Sequence, residues 1–303
     1  MRKYCFLPGP MEGVMSPEWV RAANRLQLAE RWITPFFRLS QELPRRKYFT
    51  AFLEPYKPLP TVMQLMGTDP GLLADAACMA EAEGVAGVDL NFGCPSSQVL
   101  RHGAGGAVLK DPALAGAILR RVTAAVKIPV SAKIRCGWAD PGELPGLLEQ
   151  LLIEPPAMLT LHFRCVKEGY LPMPAGERER RFAVAVEKIA GRTPLILNGD
   201  FLTADEMRSA VERFGAAGAM AARGLLNDPG LLRRAAGLPV PEKPVMQEAF
   251  FRAVLEQYPE GMPPGRAIEL SIFIWGKENP VFTRLRGRKT PVFPEDCLGM
   301  ESE

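Results

Sequence analysis

The chain has 303 residues, 47% apolar and 23% charged, the balance of a soluble globular protein and not of a disordered, collagenous or coiled-coil one. Its 37 Lys and Arg against 34 Asp and Glu leave a net charge of only +3, so no global basic field announces a nucleic-acid partner and any RNA binding must come from local patches. Cys5, Cys78, Cys94, Cys136, Cys165 and Cys297 stand singly and the only histidines are His102 and His162, which argues against a zinc site or a disulfide scaffold and for reduced thiols in a cytoplasm. The opening MRKYCFLPGPMEG does not read as a secretory signal, and no apolar run approaches the ~18 residues needed to span a bilayer, so no membrane partner is expected.

Short apolar, β-rich runs recur at residues 4–7, 31–34, 61–66, 87–91, 130–134, 158–162, 194–198 and 219–222. Helical spacing fills intervening segments such as 71–83 and 112–126. Asp69-Pro70 and Asp111-Pro112 read as an N-cap followed by proline in the first turn, and Thr203 before Asp205-Glu206 as another helix start. Eight strand–helix units in about 240 residues predict a TIM (β/α)8 barrel, whose usual size is ~250 residues. A doubly wound sheet is the alternative. It usually opens on a glycine-rich GxGxxG turn, and the first turn here is Pro8-Gly9-Pro10-Met11-Glu12-Gly13. Residues 238–244 read as a linker, and helices are expected over 245–257 and 266–277. The expected organisation is therefore a barrel over residues 1–238 and a small C-terminal helical domain over residues 239–303.

Barrel enzymes carry their chemistry where the strands end at the C-terminal face. The predicted strand ends are polar in turn: Pro10-Met11-Glu12 after the first, Gln64 on the third, Asp89 and Asn91 then Cys94 on the fourth. Lys133 and Arg135 end the fifth, His162 and Arg164 the sixth, Asn198-Gly199-Asp200 the seventh, Ala222-Arg223-Gly224 the eighth. A cap or two would account for some of these polar ends and for all of them poorly. By chemistry alone Cys94 suits a proton donor, since a thiol is mostly protonated at neutral pH, or a buried structural cysteine. Lys133 suits a fixed cation, or a Schiff-base lysine as in an aldolase, which would leave Cys94 and Gln64 without a role.

The set PMEG, VMQLMG, DLNFGCPSSQV, HGAGGAVL, AKIRCGW, LHFRCVKEGY and NGDF resembles the flavin-dependent tRNA-dihydrouridine synthases over most of residues 4–235, with the PMEG opening most like the bacterial class C type. The resemblance implies reduction of the 5,6 double bond of a uridine in tRNA. Reduced FMN gives a hydride to C6, Cys94 gives a proton to C5, and NADPH re-reduces the flavin. It also implies that Pro10, Met11, Glu12, Gln64, Lys133, His162, Asn198, Gly199, Asp200, Ala222 and Arg223 hold FMN, the phosphate lying between the last two strand ends, and that Asn91 and Arg164 face the uracil or nearby RNA. A monomer acting in the cytoplasm, with no metal, is expected. Two positions depart from the family pattern: Ala222 stands where a glycine is common, and Phe163 where a smaller residue is usual. They keep open a non-catalytic RNA-binding paralogue; the other rival, an FMN barrel acting on a small pyrimidine-like molecule, would leave the basic run from Arg284 to Lys289 idle.

Extruding a base from folded tRNA costs a few kcal/mol, which cations gripping phosphates offset. Arg164 and Lys167 follow the sixth strand. Arg178, Arg180 and Arg181 come next, interleaved with Glu177 and Glu179. Arg284, Arg286, Arg288 and Lys289 gather near the end of the chain, although that segment carries about as many acids as bases. Arg284, Arg286 and Arg288 are the expected RNA contacts of the helical domain.

Overall fold

The computed structural model describes residues 4–297. Nine strands run parallel: β1 (Cys5–Pro8), β2 (Trp32–Ile33), β3 (Phe37–Arg38), β4 (Thr61–Met66), β5 (Gly87–Phe92), β6 (Val130–Arg135), β7 (Met158–His162), β8 (Leu195–Asn198) and β9 (Gly218–Ala221). Each of β4 to β9 pairs with the next, β9 pairs with β1, and β2 and β3 both pair with β4. β1 lies beside β2 without a ladder between them among the described residues, so the barrel is nearly closed.

The eight expected strands are present, and the second is broken in two. Trp32 pairs with Thr61 but Phe37 pairs with Leu65, so the β2–β3 side carries one more residue than β4. Pro35 lies in the break and has no N–H for a ladder. The Thr34 hydroxyl accepts the Gln64 N–H (3.0 Å) in place of a backbone carbonyl. This bulge turns Phe36 and Arg38 toward the mouth of the barrel, which they line.

The interior of the barrel is divided. Leu7, Ile33, Ile196 and Met220 pack together on one side. On the other, Gln64, Asp89, Ser131 and Thr160 are all buried. Apolar faces of the outer helices cover the strands. The helix Pro70–Ala82 is capped by Asp69 on the Leu72 N–H (2.7 Å), Pro112–Thr123 by Asp111 on the Leu114 N–H (3.1 Å), and Ala204–Phe214 by a reciprocal Thr203–Glu206 box.

After residues 238–242, which form no helix, the chain enters helices Lys243–Leu255 and Pro264–Trp275, as expected, and a shorter helix Pro280–Leu285. A bridge between Met262 and Val292 ties the end of this segment back on itself. Phe250 packs edge-on to Trp19 (5.2 Å) and joins the main core, so the segment is seated on the barrel. The last six residues of the expected 239–303 domain lie outside the described residues.

Candidate active site

At the C-terminal ends of the strands a cleft opens, with a volume of about 1020 Å3. Pro10, Met11 and Glu12 line it from the loop after β1, Asn91 and Cys94 from the end of β5, and Lys133 from β6. His162 comes from β7, Asn198, Gly199 and Asp200 from the end of β8, and Ala222 and Arg223 from the end of β9. The tertiary fold thus gathers residues from six strands around one space.

Lys133 crosses over β7. Its Nζ donates to Asn198 Oδ1 (2.9 Å), and Asn198 Nδ2 donates to the Met220 carbonyl (2.9 Å). Burial, and secondarily the charge of Arg135, pull the lysine down to about 8 from its ordinary 10.5. His162 is held well below its ordinary range by burial and by Arg135, Lys133, Arg164 and Arg223, so its imidazole is neutral. Its Nδ1 accepts the Arg164 N–H (3.2 Å), which leaves the proton on Nε2. Burial pushes the Cys94 thiol up and outweighs the lowering effects of the Ser96 backbone and of Arg135 and Lys133. Cys94 is therefore a thiol, not a thiolate, at neutral pH. Burial also raises the Glu12 carboxyl.

Arg135 fastens the loops on either side of β6. Its Nε donates to the Gly93 carbonyl (2.9 Å) and its Nη1 to those of Cys165 (3.0 Å) and Gly169 (2.8 Å). Exposed Tyr170 sits between two guanidinium groups, with Arg135 5.1 Å and Arg223 5.0 Å from its ring centre. Residue chemistry did not single out Tyr170, Phe36, Arg38 or Phe273. The first three sit in loops or at a bulge, and Phe273 reaches the cleft from the helix Pro264–Trp275.

Two departures from the family pattern find their place. The Ala222 methyl abuts Gly9, where a Cβ would lie 2.9 Å from it, so the extra carbon at 222 is accommodated by the lack of one at 9. Phe163 is buried outside the cleft against Phe182, and its ring lies 2.3 Å from where a Cβ on Gly199 would be. Gly199 also has φ +125°, so that position demands glycine twice over.

Other expected site residues lie elsewhere. Gln64 is fully buried beneath the cleft and donates to Asp89. Arg164 is buried behind the wall and pairs with Asp200, which also pairs with Arg223. Arg181 is buried between Glu168 and Glu177, while Arg180 pairs with Glu177 and Arg178 with Glu179. These three arginines are engaged within the chain. Arg284, Arg286 and Arg288 do not reach the cleft. Arg284 and Arg286 are exposed, whereas Arg288 pairs with Asp296 and donates to the Pro291 carbonyl. Among the described residues no three His, Cys, Asp or Glu side chains gather as metal ligands, and no helix is long and apolar enough to cross a membrane.

Residues 7–261 match the family model described as Dihydrouridine synthase (Dus). The chain belongs to the dihydrouridine synthase family. The match runs past the linker and through the first C-terminal helix, so the family relationship is not confined to the barrel. Among curated relatives, a tRNA-dihydrouridine(16) synthase of Aquipseudomonas alcaligenes is 32% identical over 78% of this chain and 76% of its own length. One of Pseudomonas syringae pv. tomato is 30% identical over 85% of each. A probable tRNA-dihydrouridine synthase 1 of Synechocystis is 38% identical over 57% of this chain, and the match spans about half (48%) of that relative. A solved mandelate oxidase superposes with a TM-score of 0.48 at 14% identity, covering 81% of this chain and 70% of its own.

Proposed function

We propose that this dihydrouridine synthase is an active FMN-dependent enzyme that reduces a uridine of tRNA in the cytoplasm, with NADPH as reductant. The observation that carries the reading is the Cys94 thiol and the half-buried Lys133 amine lining one cleft. The names of two relatives point to position 16 as the target uridine.

FMN suits the residues present. Lys133 offers a cation, and His162 Nε2–H and the Asn198 amide offer polar contacts for an isoalloxazine edge. The Asn198–Asp200 turn and the chain entering the helix Arg223–Asn227 lie side by side, where free first-turn N–H groups and Arg223 suit a phosphate. Gly224 permits this approach, since a Cβ there would lie 2.1 Å from the Phe201 carbonyl. When bound, FMN supplies hydride chemistry. The chain does the rest. Lys133 stabilises negative charge at the cofactor edge. Cys94 Sγ gives its proton to C5 of the base and is left a thiolate, which regains a proton from solvent. The spare Asn91 amide N–H offers a donor to a base carbonyl, and Tyr170 offers a flat face at the entrance.

The absorption spectrum of the purified protein tests the reading. Bands near 370 and 450 nm and release of FMN are expected, followed by dihydrouridine in tRNA incubated with NADPH. A colourless protein that takes up no added FMN overturns it in favour of a non-catalytic RNA-binding paralogue. A flavin-loaded protein that leaves tRNA unreduced but acts on a small pyrimidine overturns the choice of substrate.

A further inference from the structure

Asp89 is a fully buried carboxyl that the chemistry above does not use. It lies on β5 opposite Gln64 of β4 and Ser131 of β6. Its Oδ1 accepts the Ser131 hydroxyl (2.6 Å) and its Oδ2 accepts Gln64 Nε2 (2.7 Å). Gln64 Oε1 in turn accepts Asn91 Nδ2 (2.8 Å), and Asn91 Oδ1 accepts the backbone N–H groups of Gly93 (3.1 Å) and Cys94 (3.0 Å).

The chain of bonds has one direction. Each amide on its own could be turned over, exchanging its oxygen and nitrogen. At the bottom Asp89, whose carboxyl burial raises although Ser131, Gln64 and Lys133 oppose the shift, accepts from both neighbours, and two backbone N–H groups at the top only donate. Between those ends both amides must point their nitrogens down and their oxygens up. We propose that Asp89 is a positioning residue that sets the direction of the Gln64 and Asn91 amides and thereby holds the loop carrying Cys94. A consequence follows for the ligand. Asn91 has one N–H left to present and its oxygen is taken, so the group facing it is an acceptor such as a ring carbonyl.

An asparagine at position 89 could offer an NH2 to Gln64 and start the chain the wrong way. Exchanging the charge restores the direction: Asp89→Asn with Gln64→Glu puts the accepting carboxylate one place along, where it receives Asn91 Nδ2 from above and the new amide from below. A role limited to packing predicts the opposite, that two changes are worse than one.

The experiment is alkylation of the purified protein by iodoacetamide, followed peptide by peptide by mass spectrometry. The importance of Cys94 rests on the proposed function, but this readout needs neither flavin nor tRNA, so failure of either reading is separately visible. Asp89→Asn is expected to raise the Cys94 rate about fivefold, the weight of one hydrogen bond. The paired exchange is expected to return it to the original rate, and Thr160→Val, a buried change outside the chain of bonds, to leave it unaltered. An original rate in Asp89→Asn, or a paired variant as reactive as the single one, overturns the proposal. Buried Cys136 and Cys165 report unfolding. If Asp89→Asn unfolds, a folded paired variant with a protected Cys94 supports the proposal and an unfolded one overturns it.

Discussion

Lys133 and Asn198 meet at 2.9 Å across the top of the barrel, from strands that are not neighbours. The contact spans β7 and places a cation in the middle of the cleft floor, with its carbonyl-type partner anchored to Met220. Lys133→Met removes the cation at nearly constant volume. Turnover of tRNA is expected to fall about 10²–10³-fold, as when a fixed group stabilising developing charge is lost. Stability moves the other way. The folded lysine titrates at about 8 and the ordinary one at 10.5, so between those values the folded state holds fewer protons and stability rises with pH. Below that window the cost of burying the ammonium is fully present. Urea unfolding at pH 7 and pH 10 checks this: the wild type gains on the alkaline side, and Lys133→Met does not.

Cys94→Ala should keep the flavin content and lose roughly 10²–10⁴-fold in rate, the weight of a positioned proton donor. Because burial raises the thiol, the alkaline limb of the kcat/KM profile should lie above the ordinary cysteine range. A flavin spectrum and a pH series of tRNA reduction measure both.

Gly199→Ala must both hold φ +125° and displace the Phe163 ring. A loss of about 2–4 kcal/mol is expected, from ~1–3 of backbone strain together with overpacking. Adding Phe163→Leu should recover the steric part and leave the backbone part. Chemical denaturation of the two variants separates them.

Arg181 is buried between two carboxylates and also donates to the Phe163 carbonyl (3.0 Å). It pins the segment that carries His162 and Tyr170 into the cleft. Arg181→Met should destabilise the fold by about 3–5 kcal/mol, because it leaves Glu168 without its guanidinium partner and Glu177 with Arg180 alone. Thermal melts at pH 7 test this, and Arg180→Met on the exposed side of the same helix should change little.

Near the end of the described chain Arg284, Arg286 and Lys289 are exposed, and Arg288 is engaged with Asp296. Replacing Arg284 and Arg286 with Ala should weaken tRNA binding and lower the slope of log K against log salt by about 1–2. Arg288→Ala should act on the melting temperature instead. Binding measured across a salt series distinguishes the two, and an unchanged slope in the double variant removes this surface from tRNA recognition.

The strands, the N-caps at Asp69, Asp111 and Thr203, and the helices after the linker were legible because each is a local signal: a period, a proline after an acceptor, a capping pair. The polar strand ends were legible for the same reason, since a barrel places every strand end on one face. The break at Pro35 was half visible. Proline ends the expected second strand, but the return of Phe37–Arg38 to β4 needs the register of a strand almost thirty residues away. Gln64 is buried beneath the cleft, and its amide donates to Asp89, a partner 25 residues away. Nor could the basic residues be sorted from order alone. Arg164, Arg181 and Arg288 have partners 36, 13 and 8 residues away, while Arg284 and Arg286, in the same kind of run, remain exposed.

From its order of residues alone this chain carries its barrel, its family and most of its cleft, because period, capping and strand-end polarity act over a few residues. Which charges face a ligand and which hold the walls together was decided only by the folded molecule. An ion pair or a directed chain of amides depends on partners brought close by strands that are distant in the sequence.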